Sequence, residues 1–167
     1  KLYGDKQSLL SVFFLVSSLL TISEIHQAKT DGVLFLTVVV CNLLILKGIN
    51  KSFLAFKEKI IFWLFLSTGI LIKGPIIIIF TLLPLTIISI LRKENLVNII
   101  WSKAGLLVFA LVCIPWYVAI TIVSDGLFWH ESLINDLFNK VKSGQESHGF
   151  PPGYYLLLLS IMFWPGV

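Results

Sequence analysis

The sequence predicts an all-α fold, a polytopic bundle of transmembrane helices, and three observations carry that prediction. Of 167 residues, 57% are hydrophobic and only 13% charged, where a soluble domain carries about a quarter charged residues. Mean hydropathy is +0.94. The apolar residues gather in six runs, of the kind that cross a bilayer when they reach roughly 20 residues. The basic residues fall mostly between or at the ends of those runs, unequally shared between two sides.

The runs are Ser8–Ile25, Val33–Leu46, Leu54–Ile72, Pro75–Leu91, Ile99–Val123 and one from Tyr154 onward. Several are short for a span, so they extend into flanking polar residues or tilt. The boundary between the third and fourth depends on "IKGPI" (72–76) being a turn, which Gly-Pro favours because a residue before proline leaves the helical region. Residues 1–167 read as part of a single transmembrane domain truncated at both ends, with no removable signal peptide pattern. Cys41 and Cys113 lie inside apolar runs and read as small buried residues with no disulfide implied.

Alternating the runs across a membrane assigns Lys1, Lys6, Lys47, Lys51, Lys57, Lys59, Arg92, Lys93 and Lys103 to one side. The other side receives Lys29, Lys73, Lys140 and Lys142. Nine basic residues against four make the first side cytoplasmic by the positive-inside rule. The formal charge of +4 therefore reports topology, and no nucleic-acid partner is expected. Glu24, His26, Lys29, Asp31, Lys73 and the 124–153 loop all fall on the outer face. A site, if present, belongs there.

Within the loop from Ser124 to Gly153, Phe128, Ile134, Leu137, Phe138 and Val141 recur at helical spacing, opposite Asn135, Asp136, Asn139 and Lys142. That pattern predicts one outer amphipathic helix lying in the interfacial plane.

Each candidate residue has a plain reading beside a functional one. Asp31 is an N-cap for the second span, or a carboxylate at the membrane edge facing a polar cavity. Lys73 snorkels to the headgroups, or serves a lipid phosphate. Lys140 faces solvent or headgroups, or reaches an anionic head group. Glu146 and His148 cap a helix, face water or bind a metal. Two ligands are too few for a zinc site, so a divalent metal stays open. In "SHGFPPGYY" (147–155), Pro151 and Pro152 fix backbone angles while Gly149 and Gly153 permit tight ones. Tyr154 and Tyr155 sit where an aromatic belt is expected. A corner held this stiffly above the bilayer suits a ligand cavity better than a plain connector.

"AKTDGVLFL", "GILIKGPIIII", "CIPWYVAI", "GQESHGFPPGYYLL" and "FWPG" resemble, in order and spacing, motifs of the bacterial polyprenyl-phosphate-sugar glycosyltransferases. That family is related to the protein O-mannosyltransferases and to the lipid A aminoarabinose transferases. The resemblance covers essentially the whole chain. It implies a GT-C-type helix bundle in the bacterial inner membrane with its site facing the periplasm. Such enzymes move a sugar from a polyprenyl phosphate donor to a glycolipid (lipid A or lipopolysaccharide), another glycan or a protein. By this resemblance Asp31 and His148 are the catalytic candidates. Lys73, Lys140, Tyr154 and Tyr155 are the donor-binding candidates, and Glu146 is a weaker carry-over. The family's favoured general base, in an acidic outer loop, would precede Lys1, so the chain by itself is expected to be inactive.

The chemistry needs a carboxylate to deprotonate an acceptor hydroxyl and cations to stabilise the departing phosphate. Two rivals remain. A secondary transporter would explain short spans with a Gly-Pro break. A non-catalytic scaffold, or an inactive relic of the transferase, would explain the missing acidic loop.

Overall fold

Runs of Leu, Ile, Phe and Val with no interior charge favour helices wherever backbone groups must be satisfied within the segment. The computed structural model describes residues 4–26, 29–129, 158 and 161–164. Among them every regular element is a helix: α1 (Asp5–Ser17), α2 (Leu19–His26), α3 (Asp31–Lys51), α4 (Phe56–Lys73), α5 (Ile76–Arg92), α6 (Val97–Ile100), α7 (Lys103–Val123) and α8 (Leu127–Trp129). The all-α prediction holds. The chain divides into two compact units, Lys1–Ala28 with Val118–Val167, and Lys29–Tyr117.

In Lys29–Tyr117, α3, α4 and α5 run up, down and up against one another. One stripe of α3 (Leu34, Thr37, Cys41, Ile45 and Gly48) is buried at the three- and four-residue spacing of a single helix face. Phe62 of α4 and Ile77, Thr81 and Leu85 of α5 are almost wholly enclosed. Close approach needs small residues: a methyl group on Gly69 would overlap Ile77, and one on Gly48 would overlap Ile99. The buried hydroxyls bond within their own helices, Thr37 Oγ1 donating to the Leu34 carbonyl at 2.6 Å and Thr81 Oγ1 to the Ile77 carbonyl at 2.7 Å. Such back-bonding lets a hydroxyl sit inside an apolar bundle. Both cysteines are buried and free, as expected.

Pro84 lies inside α5 and has no N–H for the carbonyl four residues back, which belongs to Phe80. Asn42 of α3 fills the gap, its Nδ2 donating to the Phe80 carbonyl at 3.2 Å. A similar repair serves the break between α6 and α7, where Trp101 is extended. There Trp63 Nε1 donates to the Ile100 carbonyl at 3.0 Å and Lys59 Nζ to the Trp101 carbonyl at 2.9 Å. α7 then follows α4 in parallel, with Gly105 against the Trp63 ring and Phe109 edge-on to it.

In the other unit, the first apolar run is two helices rather than one. Ser18 is extended (φ −67°, ψ 137°), and its Oγ accepts the Thr21 N–H at 3.3 Å, the bond of an N-cap. That serine starts a new helix in the middle of the run. The backbone after α7 turns through Asp125 and Gly126, both with positive φ, and Trp129 Nε1 donates back to Thr121 Oγ1 at 2.7 Å.

These details correct the expected number of spans. Among the described residues two helices, α3 and α7, are long and apolar enough to cross a membrane, fewer than six. The first run is broken at Ser18, and α4 carries Lys57, Glu58, Lys59 and Lys73. α5 has 17 residues, about 26 Å at 1.5 Å per residue, just short of a hydrocarbon core of about 30 Å. The sixth run and the interfacial helix predicted over 128–141 lie largely outside the described residues.

Candidate functional site

The predicted turn at "KGP" is present and brings two candidate residues together. α4 ends at Lys73, and Gly74 takes φ 72°, ψ −156°, a conformation essentially confined to glycine. Pro75 then leads into α5. Because α3 and α4 are antiparallel, the C-terminus of α4 lies beside the N-terminus of α3. There Lys73 Nζ donates to Asp31 Oδ1 in an ion pair.

Asp31 is therefore not the cap of α3. Thr30 holds the cap position without a side-chain bond, and the Asp31 carboxylate accepts from Lys73 instead. Both groups suit their helix ends, a carboxylate in the first turn of α3 and an ammonium in the last turn of α4. Both are also accessible, with 41% and 47% of their side-chain surface exposed, so the pair adds no more than about 1 kcal/mol to stability. Beneath it Leu34, Gly69, Ile70 and Ile77 form a packed floor. The arrangement is a water-accessible pair of opposite charges on a rigid base. An ammonium has three donors and a carboxylate two acceptor oxygens, so the lysine can take an anion while the carboxylate takes a hydroxyl.

The sequence treats Asp31 and Lys73 as separate candidates. Their contact was legible in one respect: residues ending one helix and beginning its antiparallel neighbour meet at one level. Lys140, Glu146, His148, Tyr154 and Tyr155 lie outside the described residues, so the described site consists of Asp31, Lys73 and the Gly74–Pro75 turn. Among the described residues no group of three His, Cys, Asp or Glu side chains could hold a metal.

The opposite end of the same unit is different in character. Lys47, Lys51, Lys57, Lys59, Arg92, Lys93 and Lys103 gather there with two carboxylates, Glu58 and Glu94. Glu58 accepts the Ala55 N–H at 2.9 Å and pairs with Lys47. Within this unit the separation of charges follows the alternation read from the loops. The chain matches no family model, no curated protein and no solved structure.

Proposed function

We propose that the chain is part of a membrane-embedded glycosyltransferase that uses a polyprenyl-phosphate-linked sugar, sits in the bacterial inner membrane and works at its periplasmic face. The acceptor is a glycolipid such as lipid A, another glycan or a protein. The observation that best supports this is the Asp31–Lys73 pair beside the Gly74–Pro75 turn, at the cation-poor end of a unit whose other end holds seven cations.

In the reaction, an acceptor hydroxyl oxygen bonds to the anomeric carbon of the sugar. The bond from that carbon to the phosphate oxygen breaks, and the polyprenyl phosphate leaves with the bonding electrons. A carboxylate accepts the hydroxyl proton. Lys73 exchanges Asp31 for the donor phosphate and stabilises the charge developing on it. The carboxylate of Asp31, released from its partner, orients the acceptor or supports the base. Lys140, His148, Tyr154 and Tyr155 would complete the site by the same resemblance, with any metal requirement open.

The test is transfer of labelled sugar in proteoliposomes containing the intact protein to which this chain belongs. Lys73→Ala and Asp31→Asn should each abolish transfer while leaving membrane insertion intact. Wild-type rates in both variants would remove the pair from the mechanism.

A second reading, a secondary transporter, is favoured by the break at Ser18 inside an apolar run, because discontinuous helices often surround transported substrates. Solute uptake by the wild-type protein without any lipid-linked sugar would select it.

A further inference from the structure

The strongest unexplained feature of the Lys29–Tyr117 unit is the end away from Asp31 and Lys73. Seven cations stand there against two carboxylates, whereas the Asp31 end has Lys29 and Lys73 against one carboxylate, with Lys73 already paired. Within the cationic end, Lys47 is matched by Glu58 and Lys59 holds the Trp101 carbonyl. Lys51, Lys57, Arg92, Lys93 and Lys103 are exposed. Phe53, Phe56 and Trp101 lie at the same level, each with more than half its surface exposed. Cations alternating with exposed aromatic rings are what a protein presents to the boundary between headgroups and acyl chains.

A cleft of about 260 Å³ opens between the C-terminus of α3 and the α5–α6 turn, lined in part by Ser52, Phe53, Lys59, Glu94, Asn95 and Asn98. Hydroxyl, amide and ammonium groups in its wall suit a hydrated phosphodiester; Lys51 and Lys93 adjoin lining residues in sequence, and Arg92 precedes Lys93. The Glu94 carboxylate opposes an anion, so the favourable potential comes from the surrounding cations rather than from the cleft alone. The turns on both sides are fixed: Ser52 and Lys93 adopt positive φ, and Ser89 Oγ accepts the Leu96 N–H at 3.3 Å and donates to the Glu94 carbonyl. The cations are thus carried on set turns rather than on a loose tail.

We propose that this end is a docking collar for anionic phospholipid headgroups of one leaflet, with Lys51, Arg92 and Lys93 as its principal cations and Phe53, Phe56 and Trp101 seated at the acyl boundary. The collar rests on the membrane reading above and adds a lipid partner to it. It fixes the depth of the unit and keeps the Asp31–Lys73 end at the opposite surface.

The test uses the whole chain in phosphatidylcholine vesicles with and without phosphatidylglycerol, at low and high salt. A chain with Trp101 as its one tryptophan should be quenched more by brominated phosphatidylglycerol than by brominated phosphatidylcholine. The expected preference is about fivefold, the effect of roughly one basic side chain at an anionic surface. It should fall to about one in Lys51→Gln/Arg92→Gln/Lys93→Gln and weaken in high salt. The unsubstituted chain gives an independent reading, since its melting midpoint should rise with phosphatidylglycerol and the rise should shrink with salt. Insertion into carbonate-washed vesicles with equal quenching and equal melting in both lipids would overturn the collar alone. Failure to insert would overturn the membrane reading with it.

Discussion

α3 and α7 are both 21 residues long, both long and apolar enough to cross a membrane, and occupied with different neighbours. A third of the most apolar stretch of α3 is buried, against 6% for α7. The difference follows from where the small and polar residues fall. α3 places Thr37, Cys41 and Gly48 on one stripe, adds Asn42 to repair α5, and starts at Asp31, which reaches Lys73. α7 has Gly105 and Cys113 as its buried residues, while Leu107, Leu111, Ile114, Val118 and Ile122 are more than half exposed. Similar composition thus yields a helix packed by protein and a helix whose outward face suits lipid. In lipid, where hydrophobic burial gives no preference for protein over acyl chains, small residues and polar contacts decide which helices associate.

The sharpest way to break this contrast is to truncate one side chain on each side of it. Phe62→Ala, under α3, should destabilise the Lys29–Tyr117 unit by about 3 kcal/mol, because the cavity term remains even where the transfer term shrinks in lipid. Leu111→Ala, on the outward face of α7, should change stability by less than about 0.5 kcal/mol. Reversible denaturation in mixed micelles measures both, and equal effects would mean that α7 is packed as α3 is. Next in size is the turn that brings Lys73 to α3. Gly74→Ala should cost about 2 kcal/mol, since its backbone conformation is one that alanine rarely adopts.

A smaller effect belongs to the repair inside the bundle. Asn42→Leu leaves the Phe80 carbonyl without its donor and should cost about 1–2 kcal/mol. In Pro84→Ala the helix supplies its own N–H to that carbonyl, so the double variant should lose much less than the sum of the two. Additive losses in the cycle would show that Asn42 and Pro84 act independently.

The fold was legible where charge and proline punctuate the apolar runs. Lys47 and Lys51, the Gly74–Pro75 turn and Arg92–Lys93 bracket α3, α4 and α5, and their limits fall within a few residues of the runs. Ser18 was harder to read, because a serine inside an apolar run bonds either to its own helix or caps a new one, and the local backbone decides. The break at Trp101 depends on Trp63 and Lys59, distant in sequence, to satisfy two carbonyls. The pairing of Asp31 with Lys73 needs the antiparallel docking of α3 and α4, which hydropathy alone does not specify. Of the predicted site, Asp31 and Lys73 have a described geometry, and Lys140, His148, Tyr154 and Tyr155 rest on the resemblance.

The central claim is that Asp31 and Lys73 act in chemistry and are not merely a brace between α3 and α4. Exchanging the charges, Asp31→Lys with Lys73→Asp, tests it most directly, with transfer of labelled sugar and thermal melting measured on the same proteoliposomes. The expected result is a melting midpoint a little below that of the wild type and no transfer, because the exchange preserves an ion pair but reverses both helix-end charges and moves the cation from the phosphate position. Recovery of transfer alongside stability would contradict it and leave the pair a structural brace.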